Sequence, residues 1–307
     1  MHGKAALRTI VAVLATGLAG CTALPPGTTS DTPAPQGSTG AAATPGPLTM
    51  PSAFLPDPNR AIPNDPRGVA FALTQTTGAV RASADAWRRM GFRGDPPRAL
   101  VLQALYQQRL YRALSKDPGL WRRTRRLLHG DLGQEAAANV GAMADLRSIV
   151  SPVGHPVTFR VGPPTAAGDA LRFYRAAQRR FGVPWDVLAA VNFVESKFGR
   201  TRSASSAGAQ GPMQFIPSTW AAYGLGGDIH NSHDAIMGAA NYLHANGAPG
   251  DLRRALFAYN RSTAYVDAVL AYAGRIRDDR RAFAEYYNWQ VFIATTHRDR
   301  RLTGPGL

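Results

Sequence analysis

Apolar positions recur with a helical period over most of the chain beyond Asp65. From Asp65 to about Val150, Leu102, Tyr106, Leu110, Ala113 and Leu114 share one helical face, and Gly130-Asp131 marks a helix end followed by a cap. Residues 151–168 hold four prolines and three glycines around Val157–Val161, which predicts an extended connector with one short strand. Asp169–Arg180 follows as a helix capped by Asp169 or its neighbours, with Leu171, Tyr174 and Phe181 inward. Val187, Leu188, Val191 and Val194 then line one face of a helix that starts at Pro184 and stops at Gly199. Asn231 or Ser232 caps Asp234–Ala245, Gly247 ends that helix, and Asp251 starts Leu252–Tyr259. Ala264–Arg281 continues helically. Trp289–Thr296 is rich in strand formers and, with a turn at His297-Arg298-Asp299, predicts a small hairpin. The expected class is mainly α.

The first 64 residues read differently. Met1–Gly20 has a basic start at Lys4 and Arg8, an apolar run over Thr9–Ala15, and small residues before the only cysteine, Cys21. This is the pattern of a secretion signal, too short for a stable membrane span. Leu18-Ala19-Gly20-Cys21 resembles the lipobox of bacterial lipoproteins, which implies a lipid on Cys21; the other reading is plain cleavage near Ala19. With one cysteine there is no intrachain disulfide. Residues 22–64 are rich in Pro, Thr, Gly, Ser and Ala, and read as a tether that buries too little to fold. A flexible chain of ~40 residues spans roughly 35 Å. The expected organisation is a signal peptide over 1–20, a tether over 21–64, a helical subdomain over 65–150, the connector over 151–168, and a catalytic domain with a C-terminal extension over 169–307.

Charge narrows the partners without choosing one. The 307 residues carry a formal +15, almost all from arginine, since the lysines are Lys4, Lys116 and Lys197. Such a balance favours wall polymers, anionic headgroups or nucleic acid. Export removes nucleic acid from the list. Trp121–Arg126 concentrates the charge, and a solvated helix face accounts for it.

The candidate chemistry centres on Glu195, one of three glutamates with Glu135 and Glu285. It lies four residues after Val191 and seven after Leu188, and so extends the apolar stripe. Lost hydration favours a neutral carboxyl, and a neutral acid can protonate a glycosidic oxygen. On the helix alone, a glutamate solvated at the helix end or paired with Lys197 or Arg200 fits equally well. The residues that follow change this. Ser203–Gly211 is a small-residue run that lets backbone approach a ligand. Gly211-Pro212-Met213-Gln214-Phe215 comes next, and Ala258-Tyr259-Asn260 further on.

Glu-Ser, Gly-x-Met-Gln-Phe and Ala-Tyr-Asn, in that order, resemble the lytic transglycosylase (SLT) domain of the goose-lysozyme-like superfamily. GPMQFIPSTW with YNRSTAYVDAVLAYA is most similar to the membrane-bound B-type lytic transglycosylases of actinobacteria, over roughly Leu171–Arg275. The resemblance implies a lysozyme-like fold and cleavage of peptidoglycan between N-acetylmuramic acid and N-acetylglucosamine to 1,6-anhydro ends. It implies Glu195 as single acid and base, Ser196 and Gln214 hydrogen-bonding substrate, Met213 and Phe215 shaping the groove, Tyr259 orienting Glu195, and Asn260 holding loop or sugar. Without the motif order, core packing is the simpler account of Met213, Phe215 and Tyr259. No cofactor is expected, and the partners are glycan strands and, through Cys21, the membrane. The molecule is expected to be a monomer outside the cytoplasm, facing the wall.

One feature departs from the B-type pattern. Gly224–Asn231 has one carboxylate, Asp228, where many relatives carry an acidic calcium-like loop, so no metal is expected. Asp228 is also the one loose candidate for a second catalytic carboxylate, since Asp234 and Asp251 sit at helix starts and Asp267 on an ordinary helix face. Two rival readings are a muramidase of the same fold, in which water attacks, and a non-catalytic wall-binding lipoprotein.

Overall fold

The structure is a computed structural model that describes residues 55–154 and 158–307. Met1–Gly20, Cys21 and most of the expected tether lie outside the described residues. The end of that tether does not behave as one. Tyr106 Oη donates to the Ala61 carbonyl, and Arg109 donates to the carbonyls of Pro58 and Arg60. Composition alone missed these anchors because they are backbone carbonyls, which every residue offers.

Eleven helices and one two-stranded sheet make up the described residues. α1 (Pro66–Arg89), α2 (Arg98–Lys116), α3 (Pro118–Arg125) and α4 (Gly130–Ser148) form the first group. Asp65 caps α1 by accepting from the Gly68 N–H, with Pro66 at the first position, and Asp117 caps α3 through the Leu120 N–H. The arginines of Trp121–Arg126 are exposed, while Trp121 packs against the core.

The second group is α5 (Ala167–Phe181), α6 (Trp185–Ser196), α7 (Pro217–Tyr223), α8 (Ser232–Ala245), α9 (Leu252–Tyr259), α10 (Thr263–Asp278) and α11 (Arg281–Tyr287). Several starts match their signals: Asn231 caps α8 through the His233 and Asp234 N–H groups, and Asp251 caps α9 through Arg254. Others differ. Asp169 lies in the first turn of α5 and caps nothing; Ala166 is the flanking residue. Pro184 flanks α6, and α6 ends at Ser196, with Lys197 in the left-handed region at φ 53°. The predicted stop at Gly199 is the third of three left-handed residues, after Lys197 and Phe198.

α6 is the axis of the molecule. Residues 186–194 are all buried, so the helix has no polar face. Phe193 gathers the core around it, at 4.9 Å from Tyr272, 5.0 Å from Tyr286 and 5.8 Å from Trp289, ring to ring. α10 packs between α4 and α6, so both groups share one core. A buried charge cluster crosses the same boundary: Glu135 of α4 lies 2.8 Å from Arg81 of α1 and 2.8 Å from Arg275 of α10. The fold is mainly α and lysozyme-like, with the N-terminal helices built onto it.

The tail forms the expected hairpin in shortened form. β1 (Phe292–Ile293) pairs antiparallel with β2 (Arg300–Arg301). The connector is its neighbour: Val153 bridges Thr295, and Val161 bridges Thr201 just beyond α6.

Candidate active site

Glu195 is the penultimate residue of α6, and the turn after it is fastened from several sides. Ser196 Oγ donates to the Pro212 carbonyl at 2.6 Å and accepts from the Gly199 N–H at 2.8 Å. Asn192 Nδ2 donates to the same carbonyl at 2.8 Å, while its Oδ1 accepts from Tyr174 at 2.6 Å. The end of the helix is thereby joined to the Gly211–Phe215 turn. Ser196 was expected on the substrate; its hydroxyl is buried and used in this joint.

The turn is as constrained as the helix end. Gln210 and Phe215 exchange two backbone hydrogen bonds, at 2.8 and 2.9 Å. Gly211 has φ 75°, and a Cβ there would stand 1.9 Å from the Ile229 carbonyl oxygen. Gln214 is at φ 51°, with its Nε2 on the Gly211 carbonyl. Met213 and Phe215 are buried, Phe215 against Trp220 at 5.3 Å and Tyr259 at 5.8 Å. Both side chains belong to the packed core.

Tyr259 does not reach the acid. Its hydroxyl donates to the Met213 carbonyl at 2.6 Å, which fixes the turn. The hydroxyl on Glu195 Oε1, at 2.7 Å, is that of Tyr265 on α10. Ser262 caps α10 by accepting from the Tyr265 N–H, and so sets the first turn that carries this ring. Tyr265 lies inside the YNRSTAYVDAVLAYA stretch, but no spacing rule separates it from Tyr259. Asn260 is buried, and its Nδ2 has no protein partner.

Burial pushes the Glu195 carboxyl up from 4.5 to about 7, against the opposing Tyr265 hydrogen bond and the Lys197 charge. Lys197 is pulled down to about 7, first by burial and then by Arg112. Its ammonium lies 4.0 Å above the Phe193 ring and donates to the Phe193 carbonyl. The alternative in which Lys197 pairs directly with Glu195 is not what is seen. Glu195 opens on a slot of about 60 Å³ shared with Gln214, Lys197, Phe159, Phe292 and Leu302. Among the described residues no second carboxylate lines it. Asp228 is exposed and accepts from the His230 N–H in its own loop. No group of three or more His, Cys, Asp or Glu among the described residues is placed to hold a metal ion.

Residues 172–281 match the family model of the transglycosylase SLT domain. The match supports a lytic transglycosylase-type action on peptidoglycan. It runs from α5 to the start of α11 and contains Glu195, the Gly211–Phe215 turn, Tyr259 and Tyr265. No curated protein and no solved structure matches the chain.

Proposed function

We propose that the chain cleaves the bond between N-acetylmuramic acid and N-acetylglucosamine by non-hydrolytic transfer, with Glu195 as both acid and base. The observation that carries this is the single carboxyl lining the slot, half protonated near pH 7 and hydrogen-bonded by Tyr265. Its proton goes to the glycosidic oxygen as the bond to the muramic anomeric carbon breaks. The 2-acetamido group of the muramic acid stabilises that carbon. Glu195, now a carboxylate steadied by the Tyr265 hydroxyl, takes the proton of the sugar's own 6-hydroxyl as that oxygen closes the 1,6-anhydro ring. The carboxyl is regenerated and no water is consumed. Intramolecular attack has a high effective molarity, so a second carboxylate is not required.

Closest to this reading is the B-type lipoprotein form, held to the outer face of the membrane by lipid on Cys21 and reaching the wall on its tether. The experiment is digestion of purified peptidoglycan by the full chain, with the muropeptides weighed. Anhydro ends, lighter than reducing ends by one water, are expected. Reducing ends alone replace the reading with a muramidase, and no cleavage at all replaces it with wall binding.

A further inference from the structure

The slot at Glu195 does not end at Lys197. Val194, Lys197 and Phe292 line both it and a second cavity of about 170 Å³ between α2, α4 and the tail. Its lining combines apolar rings, Phe193, Tyr272 and Trp289, with cations, Arg112, Arg147 and Lys197. No carboxylate lines it among the described residues. Asp299 is the neighbouring counter-charge. It pairs with Arg112, stands 2.8 Å from Lys116 Nζ, and is 3.7 Å from Arg147, beyond hydrogen-bond reach. One carboxylate thus serves three cations, Arg112, Lys116 and Arg147, while Lys197 Nζ rests on the Phe193 carbonyl and ring. Apolar rings, three cations sharing one carboxylate, and lining residues common to the acid's slot describe a place for an anion carried on a larger substrate.

We propose that this cavity is a subsite for a carboxylate of the peptide attached to the glycan, so that strands bearing peptide stems are cleaved in preference to bare strands. The proposal rests on the reading of Glu195 as the acid that cuts peptidoglycan. A muramic ring over Glu195 carries its peptide on the adjacent lactyl ether, and Val194 and Lys197 flank Glu195 in sequence and line the way across. Burial holds Lys197 near neutrality, and an entering carboxylate restores its charge. Arginine suits this duty because its planar fork meets a carboxylate with two donors.

The test compares two polymers, stem-bearing glycan strands and the same strands stripped of peptide by an amidase, with the full chain and with Arg147→Gln and Arg147→Lys. Arg147 is 39% exposed, so neither change removes packing that the fold needs, and melting curves check this. The wild type is expected to prefer stem-bearing strands in kcat/KM, and Arg147→Gln to reduce that preference about ten- to hundredfold through KM. Arg147→Lys keeps part of it. Equal kcat/KM on both polymers, or a preference untouched in Arg147→Gln, overturns the subsite. A second measurement separates this from failure of the cleavage reading: a stem-bearing muropeptide is titrated onto Glu195→Gln by tryptophan fluorescence, Trp289 being in the cavity wall. Saturable binding that weakens when Arg147→Gln is added supports the subsite even where no cleavage is found. Absence of binding overturns it.

Discussion

Replacing Glu195 by Gln is expected to abolish cleavage and, at the same time, to make the protein more stable at neutral pH. The folded carboxyl titrates at about 7 against an ordinary 4.5. Between those values the folded state holds a proton that the unfolded state has released. Stability therefore falls as pH rises from 4.5 to 7, and the full loss is present above 7. The distance from 4.5 to about 7, at about 1.4 kcal/mol per pH unit, sets a ceiling near 3 kcal/mol. Glu195 keeps some contact with solvent, so about 2 kcal/mol is the working figure. Glutamine has the same shape, still accepts from Tyr265, and does not titrate.

The assay is urea unfolding of both proteins at pH 4.5, 6 and 8. All other titrating groups are common to the two, so the difference between their stabilities isolates Glu195. That difference should grow by about 2 kcal/mol in favour of glutamine between pH 4.5 and 8. Parallel curves would falsify the account of the raised carboxyl. Activity on peptidoglycan should fall by at least 10²–10⁴-fold in the same variant.

Tyr265→Phe removes the hydroxyl that holds Glu195 down, so the alkaline limb of the kcat/KM profile should move up by about one pH unit; a limb that stays or moves down refutes the contact. Gly211→Ala meets both a left-handed φ and the Ile229 carbonyl, and should cost about 3 kcal/mol or more in a thermal or urea melt; a melt like the wild type's contradicts the close approach. A chelator should leave rate and melting temperature as they were; a drop in either points to a metal held by residues the described chain does not bring together. Cys21→Ser should shift the protein from the membrane fraction to the medium or leave it unprocessed, and unchanged lipid labelling refutes the anchor.

Periodicity found the helices because burial of an apolar stripe is a local property of the sequence. It placed Val187, Leu188, Val191 and Val194 on one helix, and that helix is α6. What it misjudged is the rest of α6. Asp186, Asn192 and Ser196 are buried as well; for Asn192 and Ser196, partners far along the chain satisfy their polar atoms: the Tyr174 hydroxyl and the Pro212 carbonyl. The same limit explains the tyrosines. Tyr259 and Tyr265 are six residues apart across the break between α9 and α10, and only the angle of that break decides which hydroxyl meets Glu195. Asp169 reads as a cap by residue type, yet the helix starts two residues earlier. In the tail, strand formers from Trp289 to Thr296 predict a hairpin, but two residues on each side pair and the remainder serves the core, Trp289 above all.

The three glutamates show why the site needs more chain than the matched segment. Glu195 opens on a slot walled by Phe159, Phe292 and Leu302, none of which lies within 172–281. Its hydroxyl partner sits on α10, whose other end is held by Arg275 against Glu135 of α4. Glu285 is buried beside that pair and pushed well up by burial and by the charge of Glu135. A cut that removed the N-terminal helices would leave Arg275 with its buried partner gone, a loss on the order of 3–5 kcal/mol for a broken buried pair. It would also bare Phe193, Tyr272 and Trp289 on the side that α2 and α4 now cover. Burial raises the carboxyl at Glu195, and residues of the connector and the tail line the slot in which it is buried. Acid strength at this site therefore depends on the connector and the tail as well as on the motif that carries the acid.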